Sequence, residues 1–103
     1  MRFGSGLARA AAHGDLSGAA RAAVAAARAD MDGATPDLAC VFVCGVDPET
    51  IAAAGAAATE DLGAAAVIGC SASGVIGPES GCELEPAVSV WAASLPGVRV
   101  RTF

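Results

Sequence analysis

Between Asp37 and Ile68 the chain reads as an apolar run, a capped helix and a second apolar run, an order that few folds accommodate. The first run, Asp37 to Val46, holds Leu-Ala-Cys-Val-Phe-Val-Cys-Gly-Val. It is apolar at successive positions, the pattern of a strand covered on both faces in a parallel sheet. Asp47-Pro48-Glu49 then opens a helix. Asp47 caps it, Pro48 takes its first turn, and Glu49 meets its positive end. Ile51, Gly55, Ala58 and Leu62 form the inner stripe, where Gly55 predicts close helix–sheet contact, and Gly63 ends the helix. Ala64 to Ile68 is the second strand. Strand, helix and strand with short connections make a βαβ unit, whose two strands run parallel.

The flanks extend this core. Arg2 to Ala8 is an edge strand or lead-in with a bend at Gly4-Ser5-Gly6. A dinucleotide fingerprint fails there, because Arg9 stands where the third glycine belongs. His13 falls in a loop signal, Ala12-His13-Gly14-Asp15, and reads as solvated. Asp15 or Ser17 caps a helix whose buried stripe is Leu16, Ala20, Val24, Ala27 and Met31. Arg21 and Arg28 flank that stripe as a solvated edge. Asp30, Asp32 and Gly33 end it, with Pro36 beyond. Glu79 to Glu85 reads as a polar turn region, and Ala87 to Leu95, with the single Trp, as a strand. Pro96-Gly97 turns the chain into Val98-Arg99-Val100-Arg101-Thr102, which alternates as a half-exposed strand. The expected fold is therefore α/β: a βαβ core, an N-terminal helix on a mostly parallel sheet, and trailing antiparallel strands. Phe103 directly after a strand predicts a single, partial domain over 1–103 with an exposed sheet edge.

Composition limits the function. The chain has 103 residues, net charge −5 and 4% aromatics, and all its basic residues are Arg. No basic stripe exists to neutralise phosphates, which excludes nucleic acid as a partner. Arg21, Arg28, Glu60 and Asp61 break the apolar windows, so no membrane insertion is expected. The N-terminus shows one Arg but no continuous apolar stretch with a cleavage site, so no signal peptide is expected and a cytoplasmic location is the default expectation. Cys40, Cys44, Cys70 and Cys82 are too irregularly spaced for a disulfide framework. Cys40 and Cys44 would stand roughly 13 Å apart along a strand, too far to share one metal ion. Neither a metal nor a cofactor is expected. Alanine methyls contribute only about 0.8 kcal/mol each on burial, so the core must gain by close approach of its elements.

The candidate site is the stretch Val67 to Gly77, V-I-G-C-S-A-S-G-V-I-G. A nucleophile elbow fails by one residue, because Ser73 stands where the second Gly belongs, and His13 is the only base available. A phosphate loop fails for want of its Lys. Cys70 at a strand end could react, but no Lys exists and no His is near in sequence. Glycines and hydroxyls with free backbone donors suit a small anion or carboxylate. In a βαβ unit both carboxyl ends open on one sheet edge, where ligands of open α/β sheets bind. The expected ligand-binding residues are Gly69, Cys70, Ser71, Ser73 and Gly74, faced by Gly45 and Asp47, with Asp47 meeting an amine.

The order of pieces resembles the N-terminal part of the FIST domain family. The match rests on Asp37-Leu38 opening a strand, on Leu62-Gly63-Ala64, and on Gly69-Cys70-Ser71 with Gly74-Val75-Ile76-Gly77. Glu83, Glu85, Ser89-Val90-Trp91 and Leu95-Pro96 follow in order. The resemblance implies a bacterial intracellular sensory module that binds a small ligand such as an amino acid, not an enzyme. It also implies more chain, with further strands and a second domain, and so a downstream signalling domain or a homo-oligomer as partner. The alternatives are a structural half-domain that acts within a longer protein and an enzyme using Cys70.

Overall fold

The computed structural model describes residues 1–77, 81–83 and 85–103. The elements run β1 (Arg2–Arg9), α1 (Ala10–His13), α2 (Leu16–Asp30), β2 (Leu38–Cys44), α3 (Pro48–Leu62) and β3 (Ala66–Ser71). A hairpin of β4 (Gly74–Ile76) and β5 (Gly81–Glu83) follows, then β6 (Ala87–Ser94). The main sheet has the order β1-β6-β2-β3. β2 and β3 are parallel, whereas β6 is antiparallel to both β1 and β2. The fold is α/β with the expected βαβ core. The sheet is mixed: β1, β2 and β3 share one direction, and the trailing strand β6 returns antiparallel through the hairpin into the middle of the sheet.

Since β1 and β2 are both antiparallel to β6, they run parallel to each other. The chain therefore makes two crossovers, β1–α2–β2 and β2–α3–β3, stepping the same way across the sheet. Crossovers of one hand that step the same way place their helices on one face. α2 lies on β1 and β6, α3 on β2 and β3, and the helices touch each other. Full coverage of β2 on both faces, expected from its continuous apolar run, does not occur. Ala39, Val41 and Val43 are buried under the helices, while Phe42 on the other face is exposed.

The ends of α2 and α3 follow the local chemistry. Asp15 accepts from Gly18 N at the start of α2, and Asp47 accepts from Thr50 N at the start of α3. Gly63 takes the left-handed conformation that ends α3, at φ 59°. Arg21 and Arg28 are not a merely solvated edge. Arg28 donates to the Asp61 and Leu62 carbonyls, each at 3.1 Å, where the last turn of α3 has no internal donors. Arg21 pairs with Asp61. Two cations from α2 thus offset the negative end of α3.

Alanine sets the spacing of the layers. Ala19, Ala20, Ala23 and Ala27 of α2 and Ala54 and Ala58 of α3 have no exposed surface. Gly4 and Gly6 do not bend the chain: they lie within straight β1, facing α2. A Cβ on Gly4 would stand 1.9 Å from the Ala27 carbonyl oxygen, and one on Gly6 would stand 2.2 Å from that of Ala23. Helix backbone rests directly on strand backbone there.

The other face of the sheet is apolar and largely open. Ser5, Trp91, Cys40 and Ile68 form one row across it, and Leu7, Ser89, Phe42 and Cys70 the next. Phe3 stacks on Trp91 with ring centroids 5.9 Å apart, and Phe3, Phe42, Ile68 and Trp91 are all exposed. Among the described residues the hairpin reaches one end of this face: Gly77 sits against Leu7, and Cys44 and Ala87 pack with Leu7 and Ala72.

Three further expectations change. His13 ends the short helix α1 rather than lying in a loop, and is exposed. Residues 81–83 form β5 instead of a turn, while Glu79, also assigned to that turn, is outside the described residues. Val98 to Thr102 alternates like a strand but joins neither sheet. Ser94 ends β6 in the middle of the sheet, flanked by β1 and β2, so the segment beyond it meets no open edge.

Replacing Gly4 or Gly6 by Ala should lower stability by about 1–3 kcal/mol, the usual cost of overpacking. The urea midpoint should fall with an unchanged slope. An unmoved midpoint in both variants would contradict the direct backbone contact.

Candidate functional site

The carboxyl ends of β2 and β3 adjoin, as the βαβ unit requires. Ala72 N donates to the Val43 carbonyl at 2.9 Å, and Cys44 Sγ lies 3.4 Å from the Ser73 carbonyl oxygen. Asp37 organises the opposite end. Its carbonyl accepts from Ala66 N, its N–H donates to Ala93 O, and its carboxylate accepts from Leu95 N at 2.6 Å. One residue thus holds the starts of β2 and β3 and the exit of β6.

An open cleft of about 310 Å³ lies between α3 and the β2–β3 pair. Val41 and Val43 line it from β2, Val67, Gly69, Cys70 and Ser71 from β3, and Ile51, Gly55 and Thr59 from α3. Its size is at the small end of ligand clefts, which run roughly 300–1,000 Å³. Gly55 does not mediate close helix–sheet contact: a Cβ there would meet nothing within 4 Å. Its missing side chain leaves the space open. Gly69 supplies the opposite gap, with a Cβ position already 3.0 Å from the Val41 carbonyl oxygen.

The walls are aliphatic, and among the described residues no charged side chain lines them. The polar groups are the hydroxyls of Ser71 and Thr59. Thr59 Oγ1 donates to the Gly55 carbonyl at 2.9 Å, leaving its lone pairs as acceptors. The backbone of β3 adds more. Ala66 N and Ala72 N both donate toward β2. Alternation along a parallel ladder then turns the N–H and C=O groups of Val67, Gly69 and Ser71 to the outer edge. Those same residues direct their side-chain positions at the cleft.

The residues expected from sequence divide. Gly69, Cys70 and Ser71 line the cleft, Cys70 through its backbone, since alternation sends its side chain to the open face with Phe42. Gly45, Asp47, Ser73 and Gly74 do not line it. A Cβ on Gly45 would stand 2.7 Å from Ile51 Cγ1 and 3.0 Å from Leu16 Cδ2, so that position is already filled. Asp47 directs its carboxylate to Thr50, at 2.9 Å from the N and 2.6 Å from Oγ1. The Thr50 hydroxyl and amide hold the Asp47 carboxyl below its ordinary pKa of 3.8. The two helical crossovers step the same way, so the cleft owes nothing to a reversal between them. Sequence reasoning missed Ile51 and Thr59, and it read Gly55 for contact where it makes space. Among the described residues, no group of three or more His, Cys, Asp or Glu is placed to hold a metal ion. No helix among them is long and apolar enough to cross a membrane.

The FIST N domain profile matches residues 37–103, which span β2, α3, β3, the hairpin, β6 and the segment beyond. The chain belongs to the FIST N domain family. FIST domains are sensory domains of signal transduction. Two uncharacterized proteins of Mycobacterium tuberculosis are similar to this FIST N chain: MT0656 of strain CDC 1551 / Oshkosh and Rv0628c of strain H37Rv. Each is 38% identical over 96 residues, covering 93% of this chain and 24% of the relative. The chain thus spans about a quarter of their length. No solved structure matches it.

Two outcomes test this geometry. Gly55→Ala should be tolerated and gain about 0.5–1 kcal/mol from helix propensity, read as a higher urea midpoint; a loss would mean that the cleft is closed. Asp47 has a depressed folded-state pKa, so its contribution is present above the ordinary carboxylate range and is lost as pH falls through the folded value. Asp47→Asn keeps a cap without titrating. Wild type should therefore lose stability relative to Asp47→Asn as pH drops below about 4. Parallel pH profiles in thermal melts would refute the capping role.

Proposed function

We propose that this FIST N chain is a signal-input domain that takes a small ligand, an amino acid or another small carboxylate, in the cleft between α3 and β3. The observation that carries this reading is the pairing of Gly55 with Gly69, two positions without side chains facing one concavity. The aliphatic part of the ligand would lie against Val41, Val43, Val67 and Ile51. Its carboxylate would accept from the Ser71 hydroxyl. Asp47 is left to helix capping, so an amine would have to find the Thr59 hydroxyl.

Binding is favoured over catalysis by placement. The Cys70 thiol is on the opposite face from the cleft. His13, in α1, belongs to the β1 edge of the fold, and β3 is the opposite edge. A structural role competes on one observation, the exposed apolar face carrying Phe3, Phe42, Ile68 and Trp91. Such a face suits a domain that acts when covered by further polypeptide.

A thermal-shift screen of amino acids and small carboxylates tests the proposal, run on wild type and on Gly55→Leu. A ligand at a hundredfold excess over its Kd should add about 2.7 kcal/mol of stability to wild type. Gly55→Leu, which fills the cleft, should melt cooperatively without responding. Absence of any stabilising compound, or an equal response in the filled variant, would overturn the assignment.

A further inference from the structure

We propose that the outer edge of β3 receives the segment Val98 to Phe103 of a second copy of this chain, exchanged reciprocally to close a two-fold dimer. The two edges of the main sheet are treated differently. At β1, Arg2 pairs with Asp32 and Arg9 with Glu85, and Asp30 accepts from the outward Ser5 N–H at 3.4 Å. Charges along an edge, and side chains that satisfy its backbone, keep other strands away. β3 has none of these protections. Its sequence, A-V-I-G-C-S, contains no charge and no proline. The N–H and C=O groups of Val67, Gly69 and Ser71 face outward, and no described strand lies beyond them.

The complementary piece is in the same chain. Val98-Arg99-Val100-Arg101-Thr102-Phe103 alternates as a strand should, yet joins neither sheet. Val98 and Phe103 are exposed. Its own β3 is out of reach. The place beyond β3 lies three strand spacings from β6, roughly 14 Å at 4.7–4.9 Å each. Between them the chain has only a tight turn, closed by Val98 N donating to the Leu95 carbonyl at 3.0 Å. A second copy meets no such limit. Charge agrees: all eleven acidic residues precede Val98, whereas two of the six arginines lie within the segment. Val98, Val100 and Thr102 would share the helix-side face and extend the floor of the cleft, while Arg99 and Arg101 would stay in solvent on the other side. An exchange between two identical copies is isologous and closes without forming fibres.

Sedimentation equilibrium on residues 1–103 tests this, with a synthetic peptide of residues 98–103 as competitor. Wild type should double its mass with concentration, and the peptide should return it to monomer. Val98→Asp with Val100→Asp, at exposed or half-buried positions, should stay monomeric with an unchanged melt and still bind the peptide. Val67→Pro removes one outward donor from an edge strand that tolerates proline. It should weaken peptide binding by about tenfold, the scale of one backbone hydrogen bond. A wild type monomeric at all concentrations would overturn the proposal. So would a dimer that survives both the peptide and the Asp substitutions, which would place the contact on the open apolar face. Loss of small-molecule binding in the cleft would leave these results untouched.

Discussion

Two crossovers that step the same way across one sheet must lay their helices on the same side, and most of this structure follows from that. Because α2 and α3 share a face they also share a seam, and two arginines of α2 lie close enough to serve the carbonyl end of α3. Because both helices must fit over only four strands, their contacts are made by alanine, and β1 offers glycine where α2 comes down. A Leu at any of those alanines would push the layers apart. An alanine core gains little per residue from burial, so it depends on distance of approach, and the β1 glycines permit that approach.

The same constraint leaves the far face without a helical layer among the described residues. The hairpin and Gly77 shield the end around Leu7, Cys44 and Ala87, while Phe3, Phe42, Ile68 and Trp91 remain in contact with water. It also moves the concavity. A sheet whose crossovers reverse direction opens a crevice at the reversal. Here the space is at the lateral edge, where α3 overhangs β3 and two glycines withhold their side chains.

Local chemistry was legible in the residues. Asp15, Asp47-Pro48 and Gly63 mark helix ends because their effects act within one turn, and β2, α3 and β3 follow from runs that only one order can join. Tertiary placement was not legible. Gly4-Ser5-Gly6 reads as a bend until a helix is known to cross it, and Gly55 reads as contact until the helix is known to overhang an edge. The continuous apolar run of β2 pointed to two covered faces, yet Phe42 on the second is exposed. Gly45 and Asp47 have the right residue types at the right sheet edge, but Ile51 and Leu16 fill the space beside one and Thr50 occupies the other. The alternation of Val98 to Thr102 is real, but pairing requires an open edge that its own β6 does not offer.

The one-sided sheet is tested most directly by native-state alkylation of the thiols, followed by mass spectrometry on dilute protein. Cys70 is exposed, Cys40 half-buried on the same open face, and Cys44 buried beneath the hairpin end. Cys70 should label fastest and Cys40 more slowly, both well below the denaturant needed to unfold the chain, with Cys44 reacting only on global unfolding. Equal protection of Cys40, Cys70 and Cys44 would mean that a second layer covers the sheet and that the arrangement described above is wrong.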